Sequence, residues 1–251
     1  MQDGALIPRY GRARRDPSLA VLEGFHALKH ALRFGADVLD VAARDPDELR
    51  GLAARLAPDQ EQQMLALARP VEPAVFEQLV PLPPTTGVVA LARRPQIDLD
   101  VLLAGDSSAP VVLLEDPRDL GNMGACVRVA AAADAAGVIT TGSHDPWHPD
   151  ALRGAAGLHF ALPVTRAPDL AALAASGRPL VAIDPDGEPL RPGALPPRAL
   201  LAFGTERYGL SAELDALAST RLRIPMREGV SSLNLATSVA AVLFATRLAA
   251  L

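Results

Sequence analysis

Cysteine is almost missing from this chain of 251 residues: Cys126 stands alone, which excludes an intrachain disulfide and fits a reducing cytoplasm. Lysine is as rare, with Lys29 the only one, so positive charge is carried by arginine. Long apolar runs are missing too. None reaches the roughly 18 residues needed to cross a bilayer, and the nearest, Leu235–Leu251, is interrupted by Thr237, Ser238 and Arg247. The opening residues contain early acidic and proline positions and no apolar stretch, so they do not read as a secretory signal. A net charge of −5 weighs against a strongly cationic nucleic-acid binder. The distribution is less even, because Arg9, Arg12, Arg14 and Arg15 form a basic arm over residues 1–17, with Lys29, His30 and Arg33 close behind. On its own this arm reads most simply as a solvated tail.

Familiar chemical motifs are lacking as well. No GxSxG and no GxxxxGK[ST] occurs, and the glycines near Gly121 lack the GxGxxG spacing of a dinucleotide fingerprint. The five histidines show no metal-like clustering beyond His144 and His148, in a loop with two prolines, so no metal is expected. Cys126 falls among helical apolar residues, where a small core hydrophobe is the simpler reading than a nucleophile.

What is present is a regular alternation in the second half. Val111–Leu114, Val138–Thr141, Leu158–Leu162, Leu180–Ile183, Ala199–Phe203 and Leu222–Ile224 read as strands. Asn122–Ala136, Ala151–Ala156, Leu170–Ala175, Ala212–Leu217 (capped by Ser211) and Leu233–Leu248 read as helices. Such alternation predicts an α/β domain with a mostly parallel sheet, whose ligand site lies beyond the carboxyl ends of its strands. The first half is more mixed. Leu19–Phe34 has the spacing of an amphipathic helix, Ala36–Val41 and Gly87–Leu91 are strand-like, and Asp45–Leu56, Pro58–Ala66 and Pro73–Gln78 are helical. Periodicity is lost over 93–110, where a linker is placed. The expected division is therefore an arm over 1–17, a first domain over 18–105 and a second over 106–251.

Three segments of the second domain deliver polar loops to one sheet edge: Leu114–Arg128 (LEDPRDLGNMGACVR), Leu201–Ser211 (LAFGTERYGLS) and Leu222–Ala240 (LRIPMREGVSSLNLATSVA). In the first, Gly121, Gly124 and Arg128 share one helical stripe, leaving room for a ligand under the arginine. Taken alone the stripe reads more simply as a turn beside a solvated arginine. In the second, Glu206 follows Gly204 at a strand end, as a ligand acceptor or as an acid near a helix start. In the third, Ser231, Ser232 and Asn234 are ordinary helix-start residues. The helix behind them is apolar on nearly every side, which suggests burial against the sheet and a second subunit.

Jointly and in this order, the segments resemble the motifs of the SpoU-type (TrmH-like) RNA ribose 2′-O-methyltransferases of the SPOUT superfamily. Asn122, Gly124 and Arg128 match the family's first motif, and Gly204 and Glu206 its second. Ile224, Pro225, Met226, Ser232, Leu233 and Asn234 match its third. Arg153–Pro163 resembles the family's segment between the first and second motifs. Leu22–Leu32 and Gly87–Ala90 resemble the start and a late strand of its accessory RNA-binding domain, so the likeness covers nearly the whole chain. The resemblance implies a second domain with a deep trefoil knot, preceded by a small α/β domain like ribosomal protein L30e that grips RNA. It implies a cytoplasmic homodimer joined through the second domain. S-adenosylmethionine would be held by Phe203, Gly204, Thr205, Glu206, Ile224, Pro225, Met226, Ser232, Leu233 and Asn234.

The activity implied is methyl transfer to a ribose 2′-OH of rRNA or tRNA. Arg128 would be catalytic, with Asn122, Glu206 and Asn234 positioning the hydroxyl, the cofactor loop and the loop facing it. Arg9, Arg12, Arg14, Arg15, Arg118 and Arg128 would touch RNA. Three positions depart from the family pattern: Ser231 stands where Glu is common, and Ala155 and Ala236 where Ser is common. A catalytically inactive, knotted RNA-binding dimer is the alternative, and base-directed methylation by the same superfamily a third reading.

Overall fold

The computed structural model describes residues 3–205 and 208–249. Its contacts group into two compact units: Met1–Gln96 with Trp147–Ala161, and Ile97–Pro146 with Leu162–Leu251. The division after Gln96 falls inside the 93–110 stretch, and a short excursion from the second half belongs to the first unit. Elements are labelled in chain order.

In the first unit, strands β1 (Leu19–Glu23), β2 (Val38–Ala43), β3 (Ala68–Pro70) and β4 (Val88–Arg93) form a mixed sheet in the order β1-β4-β2-β3. Helices α1 (Leu6–Ala13), α2 (Phe25–Arg33), α3 (Pro46–Leu56), α4 (Glu61–Leu67) and α5 (Pro73–Phe76) accompany it, with α8 (Pro149–Gly154) from the excursion. Asp45 caps α3 by accepting from the backbone N–H of Asp47 and Glu48, as its Asp-Pro start predicts.

Two expectations for this unit are corrected. Leu19–Phe34 is not one helix, because Leu19–Glu23 pairs antiparallel with β4, from Leu19 opposite Arg93 to Glu23 opposite Val89. Gly24, at φ 102°, then turns the chain into α2. The run satisfied helical spacing, yet four of its first five residues are buried, as in a strand covered on both faces. The arm is not a free tail either, since α1 buries Leu6, Tyr10 and Ala13 in the same core as Phe76, Leu79 and Val89. The Tyr10 hydroxyl donates to the Val89 carbonyl at 3.2 Å, and burial raises its pKa.

Two carboxylates enclosed in this unit account for part of the basic arm. Glu23, whose side chain has no exposed surface, pairs with Arg14 and Arg153. Asp40 pairs with Arg9 at 3.1 Å and with Arg69 at 2.7 Å. Arg12 and Arg15 are exposed. Leu158–Leu162, expected as a strand, instead begins with a 3-10 turn over Leu158–Phe160. Gly157 precedes it at φ 77°, so close to α2 that a Cβ there would lie 2.5 Å from the Ala27 carbonyl oxygen. His30 on α2 hydrogen-bonds the Ala156 carbonyl at 2.7 Å, and burial holds its imidazole below the ordinary pKa.

The second unit contains α6 (Leu99–Ala104), β5 (Val111–Leu114), α7 (Leu120–Ala132), β6 (Gly137–Thr140), β7 (Val164–Arg166) and α9 (Ala171–Ala175). It continues with β8 (Leu180–Pro189), β9 (Leu200–Phe203), α10 (Ala212–Ala216), β10 (Thr220–Arg223) and α11 (Leu235–Ala249). Its six strands run in the order β10-β8-β9-β5-β6-β7, and every pairing is parallel. The predicted α/β class with a parallel sheet is therefore what forms.

Helix α6 lies in the stretch expected to be aperiodic. Asp98 caps its start, and the buried Arg178 closes its end by donating to the carbonyls of Leu102, Leu103 and Gly105. That long-range cap comes from a residue about 75 positions away, so no local pattern could announce it. Leu103, Val111, Leu113, Ile139, Leu200 and Leu214 belong to the core.

Candidate active site

Parallel strands expose their backbone ends at one edge, and the loops that leave that edge are free to build a site. Ile183 of β8 and Phe203 at the end of β9 meet there with Ile224 and Met226, which follow β10. With Ser232 and Leu233 they line a cleft of about 200 Å³.

Local chemistry explains the loops. β8 pairs with β10 at Val181 and Ala182 and resumes only at Glu188, while Ile183 still pairs with Phe203 of β9, so the stretch 184–187 bulges from the sheet. Asp184 folds this bulge by accepting the Asp186 N–H at 2.8 Å. Gly187 closes it, where a Cβ would lie 2.6 Å from the Leu222 nitrogen. After β9, Thr205 and Gly209 exchange two backbone hydrogen bonds, at 2.9 and 3.0 Å. That fold brings the Gly209 backbone over Gly204, where a Cβ would come within 2.0 Å of the Gly209 carbonyl carbon. Glu115 at the end of β5 accepts the Ser211 N–H at 2.7 Å, and Ser211 caps α10 as predicted. Arg221 grips Asp215 with two bonds, at 2.8 and 2.7 Å, tying α10 to β10 and holding that carboxyl below its usual pKa.

The asparagines of the first and third segments touch. Asp119 caps α7 by accepting the Asn122 N–H at 2.7 Å. Asn234 caps α11 by accepting the Ala236 and Thr237 N–H groups, so its amide nitrogen is left to donate. It donates to the side-chain amide oxygen of Asn122, Oδ1, at 3.0 Å. One hydrogen bond thus joins the starts of two helices 112 positions apart in sequence. Helix α11 packs against α7 along the same side, where Arg247 donates to the Ala133 carbonyl at 3.1 Å.

Beside the cleft opens a second one of about 400 Å³, lined by Asp116, Pro117, Arg118 and Asp119 together with Thr205 and Tyr208. Thr205 and Leu235 line both. Asp116 adopts φ 38°, unusual outside glycine, and its carboxylate occupies the space a Cβ on Gly142 would need.

Of the residues expected to hold the cofactor, Phe203, Gly204, Thr205, Ile224, Met226, Ser232 and Leu233 line the first cleft. Pro225 and Asn234 are not among its lining, although both adjoin residues that are. Glu206 lies outside the described residues. Arg118 lines the second cleft, whereas Arg128 is exposed on α7 and lines neither. Arg9 and Arg14 are engaged by Asp40 and Glu23 in the first unit. Sequence reasoning missed Ile183, Asp184, Pro185 and Tyr208. A signal existed for the first three, since Asp-Pro-Asp-Gly after a strand is strong turn chemistry. His148, weighed as a metal ligand, caps α8 through its ring nitrogen. Among the described residues no group of three or more His, Cys, Asp or Glu is placed to hold a metal ion.

A parallel sheet with its cleft at the carboxyl ends defines an α/β protein whose candidate site is built by the loops leaving its strands. Residues 109–244 match the SpoU rRNA Methylase family, and the chain belongs to it. An uncharacterized tRNA/rRNA methyltransferase of Mycobacterium bovis is 36% identical over 165 residues, which cover 61% of this chain and 57% of that protein. The chain thus aligns with little more than half the length of that relative. A 23S rRNA (adenosine(1067)-2′-O)-methyltransferase of Streptomyces laurentii is 29% identical over 240 residues, covering 87% of this chain and 82% of that one. Among solved structures, the AdoMet-bound rRNA methyltransferase of Sinorhizobium meliloti superposes with a TM-score of 0.76 at 25% identity. That match covers 99% of this chain and 95% of the other.

Proposed function

We propose that this protein transfers a methyl group from S-adenosylmethionine to a ribose 2′-OH of structured rRNA or tRNA. The observation that carries the reading is the meeting of all three family motifs at one edge of the sheet, with the Asn122–Asn234 hydrogen bond between the first and third. The first cleft suits the cofactor: it is lined by apolar Ile183, Phe203, Ile224 and Leu233 and by Gly204, and Asp184 supplies a carboxylate. Phe203, Gly204, Thr205, Ile224, Met226, Ser232 and Leu233 would hold it, with Pro225, Asn234 and Glu206 completing the loops. When bound, the cofactor supplies a methyl group on a cationic sulfur, an electrophile that asks no metal of the protein.

The chain's own residues then have to place a hydroxyl and accommodate its charge. Arg128 is exposed on α7, where its guanidinium grips phosphate and stabilises the developing alkoxide. The 2′-OH proton leaves to phosphate or water. Asn122 and Asn234 hold the starts of α7 and α11 in register, which keeps Arg128 and the cofactor loop at a constant spacing. Glu206 would order the cofactor loop. Arg12, Arg15 and Arg118 remain available to touch RNA, while Arg9 and Arg14 would do so only in part. The presence of Asn122, Arg128, Glu206 and Asn234 favours this reading over an inactive RNA-binding dimer. Mapping 2′-O-methylation in total RNA from cells with and without the gene tests it, with one or more sites expected to vanish. Identical maps, with no transfer by the purified protein, would overturn it.

The same reading includes a cytoplasmic homodimer, a trefoil knot in the second domain and an L30e-like first domain. The knot is supported by the course of α11, which returns from the edge strand β10 onto α7 near the middle of the sequence. The mixed four-stranded sheet with flanking helices suits an L30e-like domain. The dimer is supported by apolar residues that α11 and its approach leave exposed: Val230, Leu233, Phe244 and Leu248. A protein carrying both Phe244→Glu and Leu248→Glu is expected to elute at monomer mass in light-scattering chromatography, where the wild type elutes as a dimer. Equal masses would remove this face from the interface.

A further inference from the structure

We infer that Tyr208 and Arg118 form the subsite that holds the base of the methylated nucleotide, swung out of its stack into the second cleft. The inference rests on the methyltransferase reading and adds to it where the substrate sits and what grips it. A ribose presented to the first cleft carries its base with it, and that base must lie beside the cofactor. The second cleft is in that place, because Thr205 and Leu235 border both.

Its walls suit an unpaired base. Tyr208 is 77% exposed, far more than an aromatic ring ordinarily is unless something stacks on it. Its backbone is fixed, since its N–H donates to the Thr205 hydroxyl at 3.1 Å beside the double hydrogen bond between Thr205 and Gly209. A ring on a braced loop loses little freedom when a base stacks on it. Across the cleft, the Arg118 side chain is 70% exposed and its 3.4 Å contact with Asp116 is a weak surface pair. The guanidinium can leave that pair for a phosphate or the other face of the base. Unpaired RNA bases are held between aromatic rings and arginine planes in this way.

The test uses the full chain and fluorescein-labelled ten-residue oligoadenylate, oligouridylate, oligocytidylate and oligoguanylate, read by anisotropy, together with KM for the RNA that the wild type methylates. Tyr208→Ala should weaken oligonucleotide binding and raise KM by roughly 10-fold, the scale of one lost base stack. Tyr208→Phe should behave as wild type, and Tyr208→Leu as the alanine variant. Arg118→Ala should weaken all four oligonucleotides alike and lower the salt dependence by about one phosphate contact. Affinity for S-adenosylmethionine and the unfolding temperature should not change in any variant. A Tyr208→Ala protein with wild-type affinity and KM, or a Tyr208→Leu protein equal to Tyr208→Phe, overturns the subsite while leaving the methyltransferase reading intact. A wild type that binds S-adenosylmethionine but methylates no RNA takes both down.

Discussion

Arg128→Ala is expected to lower methyl transfer by at least about 100-fold, the loss typical of removing one fixed charge-stabilising group. Its affinity for S-adenosylmethionine should stay within ~0.5 kcal/mol of wild type, as for other exposed substitutions. The separation follows from geometry: Arg128 is exposed on α7 and lies outside the lining of the cofactor cleft, so its removal leaves that cleft whole. Arg128→Lys keeps the charge but loses the planar fork that engages phosphate through two bonds, so only part of the rate should return. Calorimetric titration of the cofactor and single-turnover transfer to RNA read the two effects independently. Equal loss of binding and rate would show that Arg128 helps to shape the cleft, and the proposed division of roles would fail.

The second large effect is expected at Gly204, and it is steric. A Cβ there would lie 2.0 Å from the Gly209 carbonyl carbon and 2.3 Å from both the Gly209 oxygen and the Leu210 nitrogen. All three are backbone atoms, so no rotamer change relieves the contact and the loop from Thr205 to Gly209 has to move. Gly204→Ala should cost about 1–3 kcal/mol in denaturant unfolding, the range for overpacked sites. Because that loop lines both clefts, cofactor affinity should fall as well. Gly209→Ala supplies the control. It has nothing within 4 Å of its Cβ and only a left-handed φ of 67° to object to it. That strain is worth about 1–2 kcal/mol, with no clash added. A Gly204→Ala protein as stable and as tightly binding as the wild type would mean that the loop does not cover Gly204 in solution.

The cleft proposed for the cofactor was legible in the sequence to the extent that its residues are contiguous in motifs. Phe203 ends β9 with Gly204 and Thr205 following, Ser232 and Leu233 lead into the Asn234 cap of α11, and that turn and cap chemistry marks them. Asp184 was not legible as a site residue, because it reaches the cleft only through the bulge that Gly187 makes against β10. Tyr208 was passed over because nothing local distinguishes a ring that packs from one left at a cleft mouth. The basic arm erred in the opposite direction. Its arginines read as solvated, but Arg9 and Arg14 have partners 31 and 9 positions away, in Asp40 and Glu23.

By itself, then, the sequence determined the alternation of strands and helices, the parallel sheet that alternation demands, and the loops that carry polar groups to one edge. These follow from periodicity, caps and turns, which act over a few residues. Only the tertiary structure decided that Leu19–Glu23 is a strand, that Arg178 caps α6, and that Asn122 meets Asn234. Each of those depends on partners brought together by the folded chain, and the free energy of burying a group is set by those partners rather than by its neighbours in sequence.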